Sequence, residues 1–301
     1  MRNFHFGEEE VTRDEMQKGL TIVIPAYNEE RGVGQVLKEI GETCSDLVHE
    51  VIVVDDGSRD ETAKVAERNG ARVIRHKENE GYGAALKSGI LAAKTEFVLT
   101  MDADNQHQAE DIPRLWKEID DNDMVVGHRS KIVHSAFWRM PGKWVLASLA
   151  NYLTRKRIPD LNSGFRLIRK DLALKYLHLC PSGFSFSTTI TMAAISRGHN
   201  VAYVPIEVAK RSSGQSAVSV STGFDTLILI LRIATLFDPL RVFIPLSAGV
   251  GACGVLLGIY YILKAFTISG APILLLVTSM LLFVLGLLCD QISQLRLERF
   301  E

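Results

Sequence analysis

Two stretches near the C-terminus limit what this chain can fold into. Val242 to Leu263 carries no charged residue, and neither does Ala265 to Cys289. A helix of either length crosses ~30 Å of hydrocarbon at ~1.5 Å per residue. A pair of buried core helices is the alternative, and two uncharged runs this long disfavour it. Lys264 and the turn Ile268-Ser269-Gly270-Ala271-Pro272 connect them, so residues 242–290 read as a transmembrane hairpin. Arg232 and Arg241 precede the first run, while Arg296 and Arg299 follow the second. That bias puts both termini and the bulk of the chain in the cytoplasm, with 291–301 as a tail. Gly249, Gly251, Gly254 and Gly258 suit close helix packing, either inside the hairpin or between copies in a homo-oligomer.

The rest must fold in water. Across 301 residues the net charge is −1, which disfavours a nucleic-acid partner. Cys44, Cys180, Cys253 and Cys289 show no CxxC spacing, so neither a disulfide framework nor a zinc site is indicated. Residues 1–19 are polar and lack the apolar core of a signal peptide; they read as a polar leader.

From residue 20 to residue 120, short apolar runs alternate with helical patterns. Leu20 to Ile24 reads as a first strand ended by Pro25, and Glu50 to Val54 as a second, followed by Asp55-Asp56-Gly57-Ser58. Ser58 and Glu61 match a capping box for the next helix. Arg72 to Arg75 is a third strand, Gly81-Tyr82-Gly83 opens a helix, and Glu96 to Met101 is a fourth strand. The pattern predicts an α/β domain with a mostly parallel sheet and helices on both faces, its ligands at the carboxyl ends of the strands. Pro25 to Glu29, Asp55/Asp56 and Asp102/Asp104 all fall at such ends. Asp102, Asp104 and Gln106 offer hard oxygen ligands at i, i+2 and i+4, which suits Mg²⁺ or Mn²⁺ on a diphosphate. An acidic turn capping a helix from Glu110 to Ile119 is the plainer explanation of the same residues. Gly81-x-Gly83 is not a dinucleotide fingerprint, because it follows the third strand and Leu86 stands where a small residue is wanted.

The middle is less regular. Asp123 to Val126 reads as a strand ending at Gly127-His128-Arg129-Ser130. Residues 137–157 interleave Trp138, Trp144 and Tyr152 with Arg139, Lys143 and Arg155, as an interfacial membrane helix does. An ordinary amphipathic surface helix is the alternative. Asp160 to Arg166 is polar and tight, Val201 to Ala209 reads as a last strand, and 218–241 as a second interfacial helix.

Taken together, Pro25-Ala-Tyr-Asn-Glu29, Val53-Val-Asp-Asp-Gly-Ser58, Asn79-Glu-Gly-Tyr-Gly-Ala-Ala85, Asp102-Ala-Asp-Asn-Gln106, Asp160-x-x-Ser-Gly-Phe-Arg166 and Arg211-x-x-Gly-x-Ser216 resemble family 2 glycosyltransferases. The nearer likeness is to polyprenyl-phosphate sugar synthases of the dolichyl-phosphate mannose synthase and bactoprenol glucosyltransferase type. The resemblance runs from about residue 20 to the C-terminus. It implies a GT-A domain over 20–217 that moves one sugar from a UDP- or GDP-sugar to a polyprenyl or dolichyl phosphate. By that resemblance Pro25, Tyr27, Glu29, Val54 and Asp56 line the nucleoside pocket, and Ala103 packs against the donor. Asp102, Asp104 and Gln106 hold the metal, with Asp102 also facing the nucleotide and Asp104 counted with the catalytic groups. Arg129, Arg211 and Ser216 bind the acceptor phosphate, since a guanidinium fork pairs with phosphate. That phosphate is already anionic at neutral pH, its second pKa being about 6, so it attacks without a dedicated base and inverts the anomeric centre. Asp160 orients the acceptor or an arginine, a base role not being required; His107 and His128 read as structural neighbours. Many relatives carry a basic residue where this chain has Ala217, which weakens any inference of donor identity.

Two other readings stand beside this one. A family 2 enzyme with a saccharide or glycolipid hydroxyl acceptor would need a general base. A non-catalytic membrane scaffold would have no use for intact Asp102, Asp104 and Gln106.

Overall fold

The protein is described from a computed structural model. It describes residues 17–129, 148, 151–153, 155–156, 158–161, 163–183, 185–207, 232, 235–265 and 269–298. The chain forms two compact units, residues 1–135 with 159–217, and residues 136–158 with 218–301.

The first unit is a seven-stranded sheet with strands β1 (Gln17–Ala26), β2 (Val48–Asp55), β3 (Arg72–Arg75), β4 (Thr95–Thr100), β5 (Met124–Arg129), β6 (Arg166–Arg169) and β7 (Val201–Ile206). Their order is β3-β2-β1-β4-β6-β5-β7. The helices are α1 (Val33–Cys44), α2 (Thr62–Arg68), α3 (Tyr82–Ala92), α4 (Ile112–Lys117), α5 (Lys170–Leu177) and α6 (Phe186–Ser196). Central strands read as unbroken apolar runs because both sheet faces are covered; Leu20, Ile22, Val23 and Ile24 are fully buried. The expected mostly parallel α/β sheet is what forms, with β6 as its one reversed strand.

That reversal positions the site. β5 ends at the carboxyl edge, and the chain enters β6 from the same edge, so the segment before Arg166 stays beside the ends of β1, β2 and β4. β1 begins at Gln17, inside the expected leader, because Gln17 pairs with Thr95. It also runs through Pro25 rather than stopping there. Pairing with β4 ends at Val23–Thr100, so the missing Pro25 N–H leaves no ladder bond unmade.

Helix α3 lies on β1 and β2 through Gly89, where a Cβ would stand 2.2 Å from Val23 Cγ1 and 3.2 Å from Val54 Cγ2. Gly89→Ala is therefore expected to destabilise the unit by about 1–3 kcal/mol, the usual cost of overpacking. Thermal unfolding in detergent reads this directly; an unchanged midpoint would contradict the packing.

The second unit contains helices α7 (Pro239–Ala265) and α8 (Gly270–Glu298). Their segments Pro239–Lys264 and Gly270–Leu295 have mean hydropathies of 2.1 and 2.6, long and apolar enough to cross a membrane. Each is only 11% buried, so they are not the core helices of a soluble unit. Gly251 faces Ser279, Gly254 faces Leu275 and Leu276, and Gly258 faces Pro272, so three of the four glycines serve packing inside the hairpin. Pro245 lacks the N–H that would bond the Arg241 carbonyl one turn earlier. Tyr152 Oη donates to that carbonyl at 3.0 Å, and Arg241 Nη1 donates back to the Tyr152 and Leu153 carbonyls at 2.9 and 2.8 Å. The expected interfacial helices over 137–157 and 218–241 lie mostly outside the described residues.

Candidate active site

The turn after β2 builds one wall. Asp55 Oδ1 accepts the Ser58 N–H at 2.9 Å, and Ser58 Oγ accepts the Asn28 N–H at 2.9 Å. Asn28, held at φ 55°, accepts the Arg59 N–H on Oδ1, and the Glu29 N–H reaches Thr62 Oγ1 at 2.9 Å. These bonds lock residues 28–30 to residues 58–62. They also replace the expected capping box: Ser58 is engaged with Asn28, and α2 begins at Thr62, whose N–H is accepted by Asp60.

The nucleoside-pocket residues divide. Tyr27 is 40% exposed at the carboxyl edge, with Glu29 half-buried beside it. Pro25 and Val54 are paired neighbours within the sheet, and Val54 packs under α3 against Gly89. The Val54 side chain is fully buried on the face that α3 covers, which leaves its backbone for a ligand. Asp56, 4% exposed, accepts the Glu80 N–H and faces His76 Nδ1 through Oδ1, and accepts the Gly81 N–H through Oδ2. Its first role is to hold the turn into α3, and a carboxylate's remaining lone pair is what a ligand could use. Gly81 and Gly83 let the segment 181–183 approach: the Gly83 and Ala84 N–H groups both donate to the Ser182 carbonyl. That helix end is therefore already capped.

Beyond β4, the Met101 N–H makes one more ladder bond to Val23 before the chain turns into Asp102. Tyr82 Oη donates to Asp102 Oδ1 at 2.9 Å, and His107 Nε2 lies 3.7 Å from Oδ2. His107 is stacked on Phe165 with centroids 5.1 Å apart. Burial pushes the Asp102 carboxyl up, but His107, the Tyr82 hydroxyl and the Arg166 charge outweigh it and hold it below the usual carboxylate range. Burial, with the Asp102 charge and hydrogen bond, pushes the Tyr82 hydroxyl well above its ordinary value, so it stays a donor. Ala103 is 3% exposed, with its carbonyl against Gly32. Asp104 Oδ1 accepts the Gln106 N–H at 3.2 Å across Asn105, which sits at φ 58°.

This donor set fits Mg²⁺ or Mn²⁺. No group of three His, Cys, Asp or Glu side chains forms a closed cage among the described residues. Such ions are commonly held by one or two carboxylates completed by substrate phosphates. Asp102, about a third exposed and anionic at neutral pH, is suited to that role.

Arg129, at the end of β5, donates from Nε to Asp160 Oδ2 at 2.8 Å and from Nη2 to Oδ1 at 3.3 Å. The Asp160 hydrogen bond holds the guanidinium pKa above its ordinary value. Of the two options left open for Asp160, orienting an arginine is the one its geometry displays. Arg211 and Ser216 lie outside the described residues. The sequence reading gave no role to Tyr82, Gly164 or Arg166, although each stands inside a quoted motif. A Cβ on Gly164 would meet Asp102 Oδ2 at 2.8 Å and Tyr82 Oη at 2.9 Å.

The fold matches that of solved structures. Glucosyl-3-phosphoglycerate synthase from Mycobacterium tuberculosis, crystallised with Mn²⁺, UDP-glucose and phosphoglyceric acid, aligns with a TM-score of 0.60 at 21% identity, covering 72% of this chain and 80% of that one. The fold is the GT-A fold of glycosyltransferases. The profile described as glycosyl transferase family 2 matches residues 21–177, and the GtrB C-terminal hairpin profile matches residues 238–295. The chain belongs to glycosyl transferase family 2 and is a glycosyltransferase. A dolichyl-phosphate hexose transferase from Haloferax volcanii is 34% identical over 64% of this chain and 84% of its own length. An undecaprenyl-phosphate 4-deoxy-4-formamido-L-arabinose transferase from Pseudomonas fluorescens is 31% identical over 81% of this chain and 73% of its own.

Proposed function

We propose that this enzyme transfers one sugar from a UDP- or GDP-sugar to a polyprenyl phosphate at the cytoplasmic face of a membrane. The observation that carries the reading is the pairing, in one chain, of Asp102, Asp104 and the Arg129–Asp160 pair at one sheet edge with a hairpin of membrane-crossing length. The names of the relatives support the lipid-phosphate acceptor, and the Arg/Lys bias around the hairpin supports the orientation.

In this reading Tyr27, Glu29 and Asp56 receive the nucleoside, with Pro25 and Val54 contributing backbone and Ala103 the floor. Asp102, Asp104 and Gln106 hold Mg²⁺ or Mn²⁺, which when bound neutralises charge on the departing nucleoside diphosphate. Arg129, aimed by Asp160, pairs with the acceptor phosphate; Arg211 and Ser216 join it on the strength of the motif. A phosphate oxygen attacks the anomeric carbon as its bond to the diphosphate breaks, inverting the centre.

The test uses full-length protein in detergent, a polyprenyl phosphate, and radiolabelled UDP- and GDP-sugars with Mg²⁺, Mn²⁺ or EDTA. Metal-dependent label in the organic phase from one donor is the expected result. Binding of a nucleotide sugar without transfer to lipid would favour a saccharide or glycolipid acceptor. Neither binding nor transfer would leave the scaffold reading. Asp160→Asn separates the two acceptor classes. With an anionic acceptor it raises the acceptor KM roughly tenfold through Arg129, and the pH profile keeps its shape, a charge-assisted pair being worth about 1.5–3 kcal/mol. With a hydroxyl acceptor it removes the base and flattens the acidic limb, at a cost of about 10²–10⁴-fold in rate.

A further inference from the structure

Arg166 is the largest fully buried side chain among the described residues, 1% exposed at the start of β6. Its Nη1 donates to the Ser187 carbonyl at 2.6 Å and to Thr191 Oγ1 at 3.0 Å, both on α6, and its Nη2 donates to the Ser163 carbonyl. Its Nε has no partner among the described residues. Its hydrogen bonds go to neutral oxygens, while Asp102 and Asp160 feel its charge from a distance. Burying a guanidinium this way is costly, and a hydrophobic residue would serve packing alone at less cost. The cost makes sense where the charge and the fork are both used.

Both are used here. The fork pins Ser163, the residue before Gly164, and Thr100 Oγ1 pins the Gly164 carbonyl at 2.6 Å. Gly164 lies against Asp102 and the Tyr82 hydroxyl with no room for a Cβ. We propose that Arg166 is a positioning residue for the metal-binding carboxylate: it locks the Ser163–Gly164 turn that seats Asp102 against Tyr82, and supplies a fixed positive charge beneath the site that receives a nucleoside diphosphate. The inference rests on the functional reading above and adds a residue to it.

The experiment is Mn²⁺ binding by electron paramagnetic resonance on full-length protein in detergent, with UDP and then GDP present. Arg166→Met is expected to weaken Mn²⁺ binding at least about tenfold, the scale seen when groups behind metal ligands are removed. Arg166→Lys, which keeps the charge and loses the fork, restores only part of it. Lys170→Met is the control: Lys170 is a buried cation, 4% exposed, whose Nζ donates to the Ala93 carbonyl at the far end of α3. It is expected to lower the melting temperature and leave Mn²⁺ affinity unchanged. Wild-type affinity in Arg166→Met, or an equal loss in Lys170→Met, overturns the proposal. Should Arg166→Met fail to fold, Thr191→Val removes a single acceptor; weakened Mn²⁺ binding at a retained melting temperature supports the role, and wild-type binding refutes it. Wild-type protein that binds Mn²⁺ with neither nucleotide would sink the functional reading, and this inference with it; a wild type that binds and an indifferent Arg166 variant sink this inference alone.

Discussion

Asp102→Asn is expected to reduce sugar transfer by about 10²–10³-fold, the scale of losing one preorganised electrostatic group. The substitution is nearly isosteric, and the Asn oxygen can still accept the Tyr82 hydroxyl that now reaches Asp102 at 2.9 Å. Folding should therefore be retained while the negative charge is lost. Transfer assayed against Mn²⁺ concentration, beside a melting curve, separates the two effects. Undiminished transfer with unchanged metal dependence would remove Asp102 from the metal site, and with it the reason for the Tyr82–Gly164 arrangement.

The second large effect comes from one methyl group. In Gly164→Ala the new Cβ would lie 2.8 and 2.9 Å from the two Asp102 oxygens and 2.9 Å from Tyr82 Oη. The backbone cannot easily retreat, because Thr100 holds the Gly164 carbonyl and the next two residues are buried, Phe165 fully and Arg166 to 1%. The carboxylate must then move, and a displacement near 1 Å can cost about 10²-fold in rate. The overpacking itself should cost about 1–3 kcal/mol of stability. Gly41→Ala is the matched control. Gly41 lies in α1 with open space where its Cβ would be, and alanine there should be neutral or stabilising by about 0.5–1 kcal/mol. Activity of Gly164→Ala equal to that of Gly41→Ala would show that Asp102 tolerates displacement.

Much of the fold could be read from residue order. The apolar runs Leu20–Ile24, Ile52–Val54 and Val98–Met101 are buried on both faces, so hydrophobic continuity alone identifies them as central strands. Their carboxyl ends carry Asp55, Asp56, Asp102 and Asp104, and parallel pairing places all of these on one edge. The hairpin was equally legible, since composition alone decides whether a helix of that length is stable in water. What a motif does not reveal is the direction of its side chains. Val54 and Ala103 sit within motifs resembling a nucleotide site, yet both are buried in the core. Ser58 matched a helix cap by spacing, and the nearer Asn28 N–H claimed its hydroxyl.

The sequence by itself determined the parallel sheet, the carboxylate edge, the family and the membrane-length hairpin, because each is a local pattern repeated along the chain. Only the tertiary structure decided that β6 runs against its neighbours, and that decision brings Gly164 and Arg166 beneath Asp102 from more than sixty positions away. Contacts between segments so far apart leave no spacing in the sequence. They follow from which strand pairs with which, and in which direction, and that is settled by packing the whole sheet at once.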